Sequence, residues 1–213
     1  MSGCVIAIDG PAASGKSSVA RGVATALDFL FVSSGYFYRA LAWGSIRDHI
    51  SIPTTPRILD QWIAGRHLEF QNSADGTRLF LDGDDASPHL SEPEVTSRVS
   101  QIAANPAIRN LVNSNLRTLS ASHDLVLEGR DIGSVVFPET PYKFYLDASP
   151  YERARRRERE GLADTVAERD RLDSTRATAP LSVPSGAIII DTTHLSLEEV
   201  VNNVLDRLNG SLP

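Results

Sequence analysis

Residues 10–17 read GPAASGKS, the spacing G-x-x-x-x-G-K-[ST] of a loop built to cradle phosphates. The chain has two lysines, Lys16 and Lys143, and arginine supplies the rest of its positive side chains, so a lysine within this motif points to chemistry. Glycines let successive backbone N–H groups approach phosphate oxygens, and a following helix adds the positive end of its dipole. The apolar run 4–8 before the loop and the helix-like segment 18–27 after it supply that strand–loop–helix setting. Gly10, Pro11, Ala12, Ala13, Ser14, Gly15, Lys16, Ser17 and Ser18 are therefore candidate nucleotide contacts. Lys16 would neutralise the outer phosphates, and Ser17 would offer its hydroxyl to Mg²⁺. Such a loop specifies a bound nucleoside triphosphate and leaves the reaction open.

A second substrate is suggested by SSGYFYRA (33–40) and EGRDIGSVVFP (128–138), which place Arg39, Arg130 and Asp131 just past two further apolar runs. Arginine holds a non-transferred phosphate in a fixed, often bidentate geometry. Taken singly, Arg39 and Arg130 read equally well as surface ion-pair residues. Two arginines beside glycine-containing turns at the ends of neighbouring core strands favour function. The stretch 149–181 is dense in charge. Its plain reading is a solvated helix with Glu152 and Arg156 at i,i+4. Gly161 breaks that helix, however, and a second charged stretch carries Arg169, Asp173 and Arg176, which suggests a mobile cover whose arginines close over phosphates.

The elements that must position these groups follow from the apolar runs 5–8, 29–32, 125–127, 144–146 and 188–190, separated mostly by helical segments. Short continuous apolar runs of this kind suit buried parallel strands, and the alternation predicts a doubly wound α/β sheet with its ligand at the carboxyl ends. Ser196-Leu197-Glu198-Glu199 matches a capping box opening the last helix. Residues 51–95 break the alternation: Leu68-Glu69-Phe70 and Leu79-Phe80-Leu81, separated by a turn-forming segment, predict a small β-rich insertion with a hairpin. Helical stretches 96–104 and 106–120 lead back to the core.

Composition narrows the field. At 213 residues and 41% hydrophobic content the chain suits one core with a small insertion. Cys4 is the single cysteine, which rules out an internal disulfide and a cysteine-based metal site. A net charge of -6 argues against general nucleic-acid binding, and no apolar run reaches membrane-spanning length, so a cytoplasmic protein is expected. None of the five histidines sits in a recognised motif.

Together the phosphate loop, SSGYFYRA, EGRDIGSVVFP, KFYLDASPYERARRR, ERDRLDSTRATAPL and IIIDTTHLSLEEVV resemble, in order and spacing, the bacterial cytidylate kinases. The resemblance covers essentially the whole chain. It implies the P-loop nucleoside monophosphate kinase fold: a five-stranded parallel sheet flanked by helices, with core 1–50 and 96–213, a short lid at about 153–170 and a nucleoside-monophosphate-binding insertion at 51–95. It also implies a monomer that transfers the γ-phosphoryl group of ATP to CMP or dCMP with Mg²⁺. Carried over, Arg39 and Arg130 grip the CMP phosphate, and Ser100, Arg109 and Asp131 read cytosine with Arg176 nearby. Ser34, Arg169 and Asp173 face the sugar, and Lys16 with lid arginines, Arg155 and Arg157 foremost, stabilises the transferring group. The chain departs from the family pattern at Ser33, usually aspartate, at Ala13, usually glycine, at the bulky Tyr36-Phe37, and in a shorter lid segment.

Phosphoryl transfer through a loose transition state rests on positioning and charge, so no serine, cysteine or histidine nucleophile is expected. Asp9, at the tip of the first strand, is open to two roles, orienting metal-bound water or capping the loop. The rival readings are a kinase for UMP, AMP or a sugar-like alcohol, and a GTPase-type switch. The switch lacks its guanine-reading Asn-Lys-x-Asp, since neither lysine follows an asparagine.

Overall fold

The structure, a computed structural model, describes residues 3–52, 54–73, 76–159, 166–175 and 178–212. Regular structure begins with β1 (Val5–Asp9), α1 (Lys16–Leu27), β2 (Leu30–Ser33) and α2 (Ser34–Arg47). There follow α3 (Pro56–Ile63), strands β3 (Leu68–Ser73), β4 (Gly76–Leu81) and β5 (Asp84–Asp85), then α4 (Pro93–Ala103) and α5 (Pro106–Ser120). The last part holds β6 (Leu125–Gly129), a π-helical turn (Ile132–Val136), β7 (Tyr142–Asp147), α6 (Pro150–Arg159), α7 (Val166–Ser174), β8 (Ile188–Asp191) and α8 (Leu197–Leu208). The chain divides into two compact units, Met1–Ser33 with Leu116–Pro213, and Ser34–Asn115.

In the first unit five strands pair in the order β2-β6-β1-β7-β8, every pair parallel. β1 and β6 are buried along their whole length, which is why both read as unbroken apolar runs ending in a polar residue or glycine. Parallel pairing brings all five carboxyl ends to one edge, with Asp9 opposite Gly129 and Tyr145, and Ser33 opposite Glu128. α1 buries Val19, Ala20, Val23 and Ala24 on one face, a helical spacing. α8 starts at the expected capping box, where Ser196 and Glu199 satisfy each other's backbone N–H, and buries Val200, Val204 and Leu208.

The second unit contains the expected hairpin, Leu68 pairing with Leu81 and Ser73 with Gly76, extended by β5 into a three-stranded antiparallel sheet. Two features differ from the sequence reading. The segment 33–40, read as a glycine-containing turn, runs straight from β2 into α2. Its buried Phe37, Tyr38, Leu41, Ala42 and Ser45 recur at helical spacing, and that burial outweighs the helix penalty of Gly35. α3 was also not anticipated; it buries Leu59, Trp62 and Ile63. Phe37 stacks on Phe70 at 6.0 Å, joining α2 to β3. Arg47 and Arg66 together bridge Asp48 and Asp82, and the Trp62 indole N–H donates to Asp48 at 2.9 Å.

Candidate active site

The phosphate loop leaves β1 at Gly10, packed so closely that a Cβ there would lie 2.2 Å from the carbonyl oxygen of Leu146. It enters α1 through Gly15, whose φ of 89° is open to glycine and strained for other residues. Ala13 also adopts a left-handed φ of 58°, at the position where the resembling family usually has glycine. For alanine that conformation is worth about 1–2 kcal/mol of strain. Lys16 is buried, 6% exposed, and its Nζ donates to the Pro11 carbonyl at 3.0 Å, so its charge lies inside the loop. Ser14 Oγ is buried and meets no hydrogen-bond partner among the described residues, as expected of a polar atom prepared for a ligand. Ser17 is exposed at the first turn of α1. A single hydroxyl suits Mg²⁺, which keeps several waters and shares phosphate oxygens, and the described residues contain no group of three acidic, histidine or cysteine side chains that would form a protein cage.

The neighbouring strand end carries the second cluster. Asp9, fully buried at the tip of β1, accepts the backbone N–H of Ile132 at 2.8 Å and of Gly133 at 2.7 Å. Of the two roles open to it, capping is the one seen, and what it caps is the turn after β6. Burial pushes its carboxyl up to about 6, the two amide bonds opposing the shift only in part. Asp131 precedes that turn and is 4% exposed, with its carbonyl accepting from Val135 and Val136. Arg130 Nε donates to Asp173 at 2.8 Å. Two residues expected on different parts of the acceptor thus touch each other here. Ser33 Oγ donates to Glu128, a buried pair at the ends of β2 and β6.

Of the α6 arginines, Arg153 and Arg156 face the loop. Arg153 donates from Nη1 to the Ala12 carbonyl at 3.3 Å and to Asp170, and from Nε to Ala148. Arg156 bonds Thr192 through Oγ1 at 3.0 Å and the carbonyl at 2.7 Å, and the Thr192 hydroxyl donates to the Ser14 carbonyl at 3.0 Å. Arg155 is 46% exposed and pairs with Glu152, whose carboxyl it holds below the usual range. Arg157 is buried.

Within the second unit, Arg39 Nη1 donates to the Leu90 carbonyl and to Thr96 Oγ1, both at 2.8 Å. Ser100 lies one turn along α4 from Thr96, Ser34 is the buried first residue of α2, and Arg109 is 2% exposed, donating to the Ala103 carbonyl with its guanidinium 5.6 Å over the Tyr38 ring. Arg176 and the side chain of Arg169 lie outside the described residues. Sequence reasoning assigned no role to Thr192 or Asp170, and placed Arg153 among the lid arginines behind Arg155 and Arg157. A signal was present for Asp170, since Asp170 and Asp173 at i,i+3 share one helix face.

A family model described as cytidylate kinase matches residues 6–210. A cytidylate kinase from Caldanaerobacter subterraneus subsp. tengcongensis is 40% identical, the match covering 95% of this chain and 93% of that one. One from Pelotomaculum thermopropionicum is 38% identical over 96% of both. A shikimate kinase structure from Acinetobacter baumannii aligns at 15% identity over 98% of this chain and 94% of that one with a TM-score of 0.49, too distant to bear on fold or substrate. With its phosphate loop, its arginines at the carboxyl edge of a five-stranded parallel sheet and a match that runs nearly end to end, this chain belongs to the cytidylate kinase family.

Proposed function

We propose that this chain transfers the γ-phosphoryl group of ATP to CMP or dCMP, giving ADP and CDP or dCDP. Membership of the cytidylate kinase family along residues 6–210 carries the reading. The orphaned Ser14 hydroxyl and the inward Lys16 support it on the donor side, and the buried Asp131 beside Arg130 supports it on the acceptor side.

Lys16 and the N–H groups of residues 12–17 hold the outer phosphates of ATP. Ser17 would hold Mg²⁺, which when bound would neutralise charge on those phosphates. The acceptor phosphate is itself the nucleophile, gripped by Arg39 and Arg130, so the protein's part is alignment, charge stabilisation and exclusion of water. Arg153, Arg155, Arg156 and Arg157 provide the positive charge of the lid. A cleft of about 470 Å³ lies between the start of α6 and the turn after β8, lined by Tyr151, Arg155, Arg156, Thr193 and His194. Asp131, with Ser100 and Arg109, reads the N4 amino group of cytosine, a donor that uracil lacks. Arg176 stands near the base, and Ser34, Arg169 and Asp173 attend the sugar. The protein acts as a cytoplasmic monomer without nucleic acid. Among the described residues no helix is long and apolar enough to cross a membrane, and the net charge of -6 opposes polyanion binding.

The test is ADP release with ATP across CMP, dCMP, UMP and AMP. Release stimulated by CMP and dCMP far above the others is expected. Equal stimulation by UMP or AMP would favour another nucleotide kinase, and release independent of any acceptor would favour the switch.

A further inference from the structure

Helix α7 directs two carboxylates, one turn apart, at cations of the first unit. Asp173 takes Arg130, as described. Asp170 reaches the phosphate loop itself: Oδ1 accepts the backbone N–H of Ala12 at 3.1 Å, and Oδ2 accepts Arg153 Nη1. That same Arg153 nitrogen also donates to the Ala12 carbonyl, so carboxylate, guanidinium and loop backbone form a closed triangle. Arg153 is 8% exposed and the Asp170 side chain 20%, so the pair is only partly screened by water.

Loop N–H groups and a neighbouring guanidinium are the equipment with which a protein receives a phosphate oxygen. A carboxylate presents the same charge sign and the same acceptor geometry. We propose that Asp170 is an internal anion that occupies the outer end of the phosphate loop in the resting protein, and that the outer phosphates of the donor displace it, taking over the Ala12 N–H and Arg153. The proposal rests on the reading that ATP binds at this loop. It gives Asp170 a function opposite to that of a binding residue: it neutralises Arg153 and keeps the loop ordered while empty, at the expense of donor affinity. A purely structural clip predicts the reverse, because loosening the loop would weaken the donor.

The full-length protein is titrated with ATP and, separately, with AMP by calorimetry, comparing wild type with Asp170→Asn. Asparagine keeps an acceptor for Ala12 and removes the charge. Asp170→Ala serves as a second variant should the first fail to fold, thermal unfolding checking both. The expected result is an ATP Kd roughly two- to tenfold tighter in the variant, the size of one partly exposed ion pair, with the AMP Kd changed by less than about twofold because AMP has no outer phosphates. Unchanged or weaker ATP binding in a folded variant overturns the proposal, and so does an equal gain for AMP. Wild-type ATP affinity that survives Lys16→Met would overturn the underlying placement of ATP, and the proposal with it.

Discussion

Two loops leave adjacent strands of the parallel sheet and are held in contrasting ways. The phosphate loop after β1 takes its backbone course from its own residues, with Asp170, Arg153 and Thr192 bracing it from outside: glycines permit its close approach to β7 and its entry into α1, and Lys16 bonds back to Pro11. The turn after β6, which carries Arg130 and Asp131, borrows its anchor, since the N–H groups of Ile132 and Gly133 are both taken by Asp9 from the end of β1. The turns of the phosphate loop are thus set mainly by local sequence, and the turn after β6 by a long-range contact. Asp9 ties the two together, so the geometry of one is referenced to the other.

The largest effect that would sharpen this contrast is on the first loop. Lys16→Met should leave the fold intact and lower kcat about a hundred- to a thousandfold, the scale seen when a stabiliser of developing charge is removed. A folded variant with near-normal turnover would break the assignment of the loop to the phosphates.

The borrowed anchor is tested at Asp9. Asp9→Ala leaves two buried N–H groups without an acceptor, each worth about 1–3 kcal/mol, while relieving a buried charge, so a net loss of about 2 kcal/mol in denaturant unfolding at pH 7 is expected. kcat/KM for CMP should fall about tenfold through the displaced Arg130 and Asp131, with ATP affinity nearly preserved. The pH dependence has a definite sign. Because the folded value of about 6 exceeds the ordinary 3.8, the folded protein binds this proton more readily; the contribution to stability is complete below about 3.8 and is lost as pH rises through about 6. Wild type should therefore gain about 2 kcal/mol over Asp9→Asn on going from pH 7 to pH 4. Parallel pH profiles for the two proteins would contradict the buried carboxyl.

The smallest effects separate the arginines of α6. Arg156 supports the phosphate loop through Thr192 and Ser14, whereas Arg155 has a half-exposed pairing with Glu152. Arg156→Ala should lower kcat/KM for ATP about three- to tenfold, and Arg155→Ala less than about threefold. The opposite ranking would place Arg155 on the phosphates during turnover.

The same contrast explains what could be read without coordinates. Val5–Asp9 and Leu125–Gly129 are legible because strands buried on both faces must be largely apolar, Tyr142–Asp147 by its buried centre Phe144–Leu146, and the last helix because its capping box lies within four residues. The phosphate loop is legible because its geometry is encoded in eight consecutive residues. Asp9 was left between two roles since its partners lie 123 and 124 residues away. β5 is two aspartates with no alternating pattern, and α2 hides behind a glycine in its first turn that reads as a turn signal. Thr192 belongs to no motif that marks it, and its link to Ser14 spans 178 residues.

The central claim is that cytidine monophosphate is the acceptor and that Asp131 helps to choose it. Steady-state kcat/KM with saturating ATP, measured for CMP and UMP on wild type and on Asp131→Ala, tests it most directly. The expected wild-type preference for CMP is about a hundredfold or more, since a buried site arranged around an amino group is left with unpaired polar atoms by uracil. In the variant CMP turnover should drop and the preference narrow to about tenfold or less. Equal use of CMP and UMP by the wild type would contradict the account.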